Sequence, residues 1–517
     1  MNSTESSSRR FILGVDVGGT HTDIELIEID TGRVFQHKIL STPEMPSKAI
    51  GVGTAEIIAQ ARIDPAAIQY FANGTTVATN ALVQKRTATA GLITTKGFRD
   101  LLEIRRQRQP HIYNIDVAKP VPPALRRHRH EVVERKYLFG RDDVAPREDD
   151  VVGAAREMIA DGVKAIAVCF LNSYDDPAHE RLARGWLAKH FPDTYMTASF
   201  EVLPEFREYE RVSTAVLNAS LGPVMKQYLE NIVNDARING LVVEPKILQS
   251  NGGVASPEDA SRYPVRTLAS GPAAGVIGAI KVAMDLGEPN VITFDVGGTT
   301  ADICLVENGE PLFASERDFA GYPVRFPMID VLSIGAGGGS IAWLDAGGFL
   351  HVGPESAGAM PGPVCYGRGG TEPTVTDANL VLGRLNPAGL LGGRVPVNHD
   401  AARKAIQDKI ATPMGLSVEE AAVGMLTILN ENMLQAVRVT SVERGHDPRE
   451  FSLVAFGGGG PLLAGQLAAE LGMRSVIIPK SPGLLCAEGL LIADTRADFS
   501  KTRIQDLNAD ATEPIRA

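Results

Sequence analysis

The sequence predicts an α/β fold built from two duplicated halves, each with a mixed β-sheet. Three observations lead to this prediction. Helix and strand signals alternate along the chain, which is typical of α/β domains. The length of 517 residues is too great for a single hydrophobic core. A fourteen-residue string, GVDVGGTHTDIELI at 14–27, recurs as TFDVGGTTADICLV at 293–306 with eight identical positions.

The first half opens with three strand signals. Apolar or alternating runs at 11–17, 23–29 and 34–40 are separated by Gly-Gly and Thr-Gly turns. A buried strand is expected at 164–171, followed by an amphipathic helix at 177–189. The repeat returns after about 280 residues, which is a domain length rather than a solenoid period. We therefore expect a disordered tail at 1–10 and domains at 11–190 and 200–505.

Composition and charge exclude several classes of protein. The net charge of −11 argues against a nucleic-acid-binding surface, which would normally be basic. No apolar stretch approaches the roughly 18 residues of a membrane-spanning helix, so no membrane partner is expected. The polar N-terminus lacks an apolar signal region, and the expected compartment is the cytoplasm. Cys169 and Cys304 lie in apolar runs and are expected to be buried, reduced thiols.

Each copy of the repeat places an acidic residue, two glycines and a threonine at the end of an apolar strand. Such a turn leaves room for an anion, and its successive N–H groups can bind phosphate oxygens. Asp16 and Asp295 precede the turns, and a carboxylate can face phosphate favourably only through a cation such as Mg²⁺. One loop of this kind is as readily a plain hairpin turn, but two copies in equivalent positions favour phosphate binding.

The repeat therefore supplies most of the predicted site. Asp23 and Asp302 recur at equivalent places and are second candidates for positioning a metal or a nucleophile. The predicted catalytic residues are Asp16, Asp295 and Asp302, with Asp16 and Asp295 as metal ligands. The predicted nucleotide-binding residues of the two turns are Gly18, Gly19, Thr20, Thr22, Gly297, Gly298, Thr299 and Thr300.

A third glycine cluster follows an apolar strand signal at 452–456. Gly457, Gly458, Gly459 and Gly460 precede a helix signal at 462–471. A strand, then glycines, then a helix start brings together free backbone N–H groups and the positive end of a helix dipole. We predict that this loop packs against an adenosine, although a tight strand-to-helix connection is the alternative. No Walker A sequence occurs in the chain.

Two acidic Gly-Gly-Thr turns and a late glycine-rich loop resemble the superfamily of actin, hexokinase and the heat-shock chaperone ATPases. That resemblance implies a two-lobed fold with ATP between the lobes, and the helix ending near Met284 resembles its connecting helix. Longer strings resemble the hydantoinase/oxoprolinase family over residues 11–505. They include NGTTVATNALVQKR at 73–86, LITTKGFRDLLEIRRQ at 92–107, SGPAAGV at 270–276, GPVCYGRGGTEPTVTDANLVLGRL at 362–385 and VERGHDPREFSLVAFGGGGP at 442–461.

The family resemblance implies an ATP- and Mg²⁺-dependent enzyme. It implies phosphorylation at the carbonyl oxygen of a cyclic amide or imide, such as a hydantoin, 5-oxoproline or a lactam. Ring opening would then take place with a larger hydantoinase B-type subunit. The alternatives are the ATP-binding subunit of an acetone- or acetophenone-type carboxylase, which acts on a ketone, and a non-catalytic nucleotide-gated scaffold protein.

This sequence departs from the family pattern in two places. Family members usually have His where this chain has Asn73, and a polar residue often stands at Phe200. Family chains also usually continue well beyond the point matching Asp498, so the usual C-terminal domain is expected to be absent. The departures at Asn73 and Phe200 are expected to alter the fit of the substrate.

Candidates for the substrate side of the site are less specific. Polar groups that could contact a ring or ketone are Thr75, Thr76, Asn80, Arg105, Gly337, Gly338 and Gly339. For Thr75, Thr76 and Asn80, turn and helix-cap chemistry is an equal alternative. Arg207 and Arg211 are expected to share one face of a helix, as a salt-bridged surface or as a phosphate clamp.

Overall fold

The computed structural model describes residues 10–19, 21–42, 45–107, 109, 111–114, 116–138, 143–390, 393 and 395–504. The strands are β1 Phe11–Val17, β2 His21–Glu28, β3 Val34–Leu40, β4 Ile68–Thr75, β5 Ala90–Thr95, β6 Arg129–Val132, β7 Ala165–Cys169, β8 Tyr195–Ala198, β9 Lys246–Leu248, β10 Val254–Ala255, β11 Val291–Val296, β12 Ala301–Glu307, β13 Glu310–Pro311, β14 Phe313–Phe319, β15 Tyr322–Ile329, β16 Leu332–Ile334, β17 Ser340–Leu344, β18 Leu350–Ser356, β19 Ser452–Phe456 and β20 Val476–Ile477.

The helices alternate with these strands. They are α1 Pro46–Ala61, α2 Val77–Val83, α3 Leu101–Ile104, α4 Glu148–Ala160, α5 Ala178–His190, α6 Ser199–Val202, α7 Glu208–Ile238, α8 Pro257–Arg262, α9 Ser270–Asp285, α10 Val375–Val381, α11 His399–Ile406, α12 Thr412–Met414, α13 Val418–Thr440, α14 Gly460–Leu471 and α15 Leu485–Ile492. Among the described residues, none of these helices combines the length and the apolar character needed to cross a bilayer.

Two mixed sheets carry the duplication that the repeat predicted. The first has the strand order β10-β9-β4-β1-β2-β3, and the second has β13-β12-β11-β19-β20 with β16 also paired to β12. In each half an antiparallel hairpin, β1–β2 or β11–β12, pairs in parallel with a later strand, β4 or β19. That later strand is followed at once by a helix, α2 or α14. The two halves therefore share a topology as well as a sequence motif.

The first sheet takes strands from both sides of the division expected at about residue 190, because β9 and β10 pair alongside β4. A separate parallel sheet with the order β6-β5-β7-β8 lies within the first half of the chain. Its central strand β7 is buried along its whole length, as the apolar run predicted. Cys169 and Cys304 are buried free thiols, which confirms the prediction for both.

Helices pack on both sheets and also between them. Helices α1 and α7 cover the first sheet, and α13 and α14 cover the second. Helices α9 and α15 pack against each other in a shared apolar cluster, which joins Ala72 and Leu248 of the first sheet to Val291 and Phe456 of the second. The helix predicted to end near Met284 is α9, and it lies where a connecting helix between two lobes should lie.

Candidate functional site

The two repeated strings form β-hairpin turns with the same geometry. The Gly18 amide donates to the His21 carbonyl at 3.0 Å, and the Gly297 amide donates to the Thr300 carbonyl at 2.9 Å. The second glycine of each turn, Gly19 or Gly298, borders open space, since nothing lies within 4 Å of a Cβ built there. Thr20 lies outside the described residues. Each turn therefore has an unobstructed face of the kind that an anion needs.

Asp16 and Asp295 occupy equivalent positions beside these turns. Each lies at the end of the first hairpin strand. Asp16 lies opposite Gly74 of β4, and Asp295 lies opposite Phe456, the last residue of β19, which Gly457 follows. A Cβ at Gly74 would lie 2.7 Å from Asp16 Oδ1, and a Cβ at Gly457 would overlap Asp295 Oδ1. The glycines are required because a carboxylate approaches the backbone there. In both halves a glycine near the end of the parallel strand therefore leaves room for the carboxylate.

The carboxylates of both hairpins share one electrostatic environment. Burial, then the charge of Asp23, raises the pKa of Asp16 to about 7 against the opposing charge of Lys38. Burial, then the charges of Asp302 and Asp16, raises the pKa of Asp295 to about 7. Asp16 Oδ1 is buried and has no hydrogen-bond partner among the described residues. Such concentrated negative charge is suited to binding a cation.

This arrangement fits Mg²⁺ better than a metal held by protein ligands alone. In the described part of the chain, no three His, Cys, Asp or Glu side chains are grouped so that they could hold a metal ion. Mg²⁺ usually takes one or two carboxylates and completes its shell with water and phosphate oxygens. Asp16, with its unpartnered buried oxygen, and Asp295 match that requirement.

The second pair of carboxylates, Asp23 and Asp302, forms contacts with residues that the sequence did not predict to be part of the site. Lys38 of β3 lies opposite Asp23 in the strand register, and its Nζ is 2.5 Å from Asp23 Oδ1. Asp302 accepts hydrogen bonds from the hydroxyls of Ser333 and Thr300. Burial raises the pKa of Asp302, and these two bonds and the charge of Arg317 oppose that rise. The only available signal for Lys38 was the register of a hairpin whose turn is at Thr31-Gly32.

The threonines after the glycines differ between the two halves. Thr22 is fully buried, and its hydroxyl lies 3.0 Å from Ser41 Oγ, which in turn donates to the Gly18 carbonyl at 2.8 Å. These hydroxyls therefore support the first turn from behind. Thr299 is exposed on the second turn, and Thr300 bonds to Asp302 at 3.3 Å.

The loop with the predicted substrate residues Gly337, Gly338 and Gly339 packs directly on the second hairpin. The Gly338 amide donates to the Gly297 carbonyl at 3.0 Å, and the Gly339 amide donates to the Gly298 carbonyl at 2.7 Å. The Thr376 hydroxyl bonds to the Gly338 carbonyl on the outer side. This loop is therefore hydrogen-bonded to the backbone of the second turn.

The charge of Arg368, in the second half of the chain, acts on the first hairpin. Arg368 lies between Gly367 and Gly369, whose φ values of 64° and 97° form a tight loop just before α10. The pKa of His21, in the first turn, is lowered to about 4 by burial and by the charges of Lys38 and Arg368. Among the described residues the Arg368 guanidinium forms no ion pair, and its nearest aromatic ring is that of Tyr366. The sequence offered only one signal for this residue, a lone arginine among glycines, and Arg368 was not predicted.

The side chains predicted around β4 are held by local bonds. Thr75 Oγ1 accepts from the Val77 amide at 3.1 Å, and Asn80 Nδ2 donates to Thr76 Oγ1 at 3.0 Å. These are the turn and cap contacts that were the alternative to substrate binding. Asn73 is fully buried, where its amide donates to the Val15 carbonyl and accepts from the Tyr228 hydroxyl. Asn73, which replaces the usual histidine of the family, is therefore buried within the first sheet.

The glycine cluster after β19 lies beside Asp295. The Gly459 amide donates to the Val296 carbonyl and the Gly457 amide to the Pro482 carbonyl, both at 2.9 Å. Gly458 faces open space, and α14 begins at Gly460. A strand end, an open glycine and a helix N-terminus are thus brought together next to the second hairpin, as the predicted adenosine loop requires.

The interpretation of two arginines on a shared helix face is wrong. Helix α7 begins at Glu208, so Arg207 precedes it, with a φ of 83°. Arg211 is fully buried and pairs with Glu180 at 3.5 Å and with Glu208. Arg105 lies elsewhere, donating to the Pro120 carbonyl, and its described contacts do not include the hairpins.

Comparison with known proteins agrees with this architecture. The family model for the hydantoinase/oxoprolinase N-terminal region matches residues 12–191, and the hydantoinase/oxoprolinase model matches residues 211–499. The caprolactamase subunit alpha of Pseudomonas jessenii is 42% identical, over 95% of this chain and 71% of that one. The acetophenone carboxylase gamma subunit of Aromatoleum aromaticum is 35% identical, over 95% of this chain and 69% of that one.

The solved structures place the fold as well. The crystal structure of the ATP-dependent caprolactamase from Pseudomonas jessenii matches with a TM-score of 0.83 at 41% identity, over 94% of this chain and 71% of that one. The two-lobed, actin/hexokinase-like ATPase fold with duplicated mixed-sheet halves is thereby confirmed. These relatives are enzymes, and the name of the solved one states its dependence on ATP. The chain belongs to the hydantoinase/oxoprolinase family.

Proposed function

We propose that this chain uses ATP to activate the carbonyl oxygen of a cyclic amide or imide, which is then opened by water with the help of a larger second subunit. The observation that carries the proposal is the pair of carboxylates with raised pKa, Asp16 and Asp295, beside two open glycine turns in one electrostatic environment. The caprolactamase relative supports the substrate class. The relatives named as subunits support a second chain.

The chemistry requires an activated leaving group, because an unstrained amide is stabilised by resonance. The carbonyl oxygen attacks the terminal phosphorus of ATP, the bond to the ADP oxygen breaks, and ADP leaves. Water then adds to the activated carbon, and the ring carbon–nitrogen bond breaks, so that the nitrogen leaves as the amine and an acyl phosphate remains. A second water hydrolyses the acyl phosphate to a carboxylate and free phosphate. Phosphoryl transfer of this kind depends mainly on positioning and on charge neutralisation.

The residues of this chain are suited to those two tasks. The open turns at Gly19 and Gly298 offer backbone donors to phosphate oxygens. Asp16 and Asp295 would hold Mg²⁺, which supplies positive charge to the phosphate oxygens when bound. Arg368, whose charge acts on His21 of the first turn, would supply a further cation, in the manner of an arginine supplied in cis.

Amide hydrolysis is favoured over carboxylation because the caprolactamase relative is 42% identical and the carboxylase relative 35%. Both activities would begin with the same phosphoryl transfer, so the choice rests on the acceptor. The experiment must therefore vary the acceptor as well as the protein.

The test is ATP turnover by the purified chain, alone and with a larger subunit encoded beside it. ADP release is measured with hydantoin, 5-oxoproline, lactams and simple ketones, with and without bicarbonate. We expect ADP release stimulated by one cyclic amide, with a ring-opened amino acid formed in equal amount. Asp295→Asn should abolish it, whereas Asp400→Asn, at a fully exposed side chain on α11, should not.

Two outcomes would refute the proposal. A product that forms only with bicarbonate and a ketone would assign the chain to the carboxylases. ATP binding without stimulated ADP release, for every acceptor and with the second subunit present, would instead indicate a nucleotide-gated scaffold.

A further inference from the structure

A cleft of about 790 Å³ lies where three parts of the chain meet, and no residue of the β1–β2 or β11–β12 hairpin lines it. One wall follows α3, a second is the start of α7, and the third is the β14–β15 hairpin. Residues that line it include Arg105, Phe206, Arg207, Tyr209, Asp318 and Pro323. Its volume is within the range of small-molecule sites.

The cations of this cleft fall into two groups. Arg106 is neutralised by Glu210, with its Nε 2.8 Å from Glu210 Oε1. Arg105 and Arg207, by contrast, form no ion pair with any described residue. Arg105 donates to a backbone carbonyl and lies over the Tyr322 ring, while Arg207 lies over the Phe206 ring. Two guanidinium groups therefore keep charge available to an anion.

The backbone at both arginines is unusual. Arg105 has a φ of 55° and Arg207 a φ of 83°, in the left-handed region that bulky residues avoid. Strained backbone of this kind persists where surrounding structure fixes it, and it is concentrated at ligand sites. Here the strained backbone occurs at the two arginines that line the cleft without an ion pair. The backbone angles and the cleft therefore both indicate a ligand site.

Two carboxylates line the same cleft from β14. Glu316 Oε2 lies 3.7 Å from Arg325 Nε, whereas Asp318 forms no ion pair with any described residue. Asp318 is exposed there, and one of its oxygens accepts from the Gly321 amide at 2.6 Å. The preceding residue, Arg317, is half-buried, and its charge acts on Asp302 of the second phosphate hairpin. Successive residues of a strand point to opposite faces. One short strand thus connects the cleft with the nucleotide site.

We propose that this cleft binds a small amino acid as a zwitterion, with its carboxylate on Arg105 and Arg207 and its ammonium group on Asp318. The inference rests on the proposed function in one respect: hydrolysis of a lactam yields a carboxylate and an amine on one molecule. These two charges complement the groups of the cleft that form no ion pair with a described residue, which are Arg105, Arg207 and Asp318. The occupant is therefore the reaction product or another amino acid of the same form. Its contact with β14 places it where binding would be communicated to Asp302.

The test is calorimetric titration of the full chain, without ATP, with three probes. The probes are 6-aminohexanoate, glutamate and hexanoate, the last of which has a carboxylate but no ammonium group. We expect 6-aminohexanoate or glutamate to bind. Tighter binding of 6-aminohexanoate would indicate the product of lactam opening, and tighter binding of glutamate would indicate the product of 5-oxoproline opening. Arg207→Gln should weaken that binding at least about tenfold, the loss expected for one charge-assisted hydrogen bond.

Two further variants sharpen the result. Asp318→Asn should weaken the zwitterion by a similar factor and leave hexanoate unchanged. Arg156→Gln is the matched control, because Arg156 is exposed on α4 and lines no part of the cleft. Both cleft residues are exposed, so thermal unfolding should confirm that the variants remain folded.

The proposal is overturned if neither amino acid binds the wild-type chain at millimolar concentration, or if Arg207→Gln binds as tightly as wild type. It is also overturned if Asp318→Asn weakens hexanoate as much as the amino acids. Acceptor-stimulated ADP release is measured in parallel. If no amino acid binds but acceptor-stimulated ADP release is intact, only the proposal for the cleft is refuted. If an amino acid binds but no acceptor stimulates ADP release, only the proposed function is refuted.

Discussion

Replacing Asp16 with asparagine should stabilise the folded protein while it removes binding of Mg·ATP. Asp16 is 9% exposed, and one carboxylate oxygen has no hydrogen-bond partner among the described residues. Its pKa rises from 3.8 to about 7 on folding, mainly through burial. A pKa raised from 3.8 to about 7 corresponds to a free-energy cost of roughly 4 kcal/mol, as an upper limit, for the charged form in the folded protein.

The sign of the pH dependence follows from the raised pKa. The folded protein binds the Asp16 proton more tightly than the unfolded chain does, so stability falls as pH rises from about 4 to about 7. Asparagine is neutral throughout this range. We therefore expect Asp16→Asn to raise the free energy of unfolding by about 1–3 kcal/mol at about pH 8, allowing for relaxation around the buried charge. The gain should shrink as pH falls and vanish below about pH 4.

The assay is urea denaturation of the nucleotide-free protein at several pH values, together with calorimetric titration of Mg·ATP. Asp400→Asn, the same change at a fully exposed side chain, should alter neither quantity. The reasoning fails if Asp16→Asn is less stable than wild type at about pH 8, or if its gain is independent of pH. Wild-type affinity for Mg·ATP in this variant would refute the metal assignment.

Three further substitutions test other parts of the site. Arg368→Gln should lower turnover by about 10- to 100-fold with the fold intact, whereas Arg384→Gln, at an exposed position, should have no effect on steady-state rates. Arg211→Met should lower the free energy of unfolding by about 3–5 kcal/mol in denaturant titrations, because it leaves a buried carboxylate unpaired. Gly457→Ala should abolish ADP release, since the added Cβ would displace the Asp295 carboxylate; normal rates would contradict the assigned geometry.

The sequence predicted those features that depend on local pattern. The hairpin turns, the carboxylates beside them and the glycine loop before α14 are each encoded within a few neighbouring residues, and a repeat made their equivalence visible. Lys38 and Arg368 were missed because their positions depend on strand register and on a loop from the other lobe. Arg211 was misinterpreted for a related reason: helical spacing gives a shared face, but it does not show where the helix begins or which side is buried.

Duplication and divergence have left different marks on the two hairpins. The carboxylates are equivalent in sequence position and in raised pKa, as expected when both halves derive from one ancestral turn. The cations are not equivalent: Lys38 and Arg368 act on the first hairpin, whereas Arg317 acts on the second. A triphosphate is also asymmetric, because its terminal phosphate carries more negative charge than either of the other two. We therefore expect the first hairpin to hold the terminal phosphate and the second, beside the loop at Gly457, to hold the end nearer the adenosine.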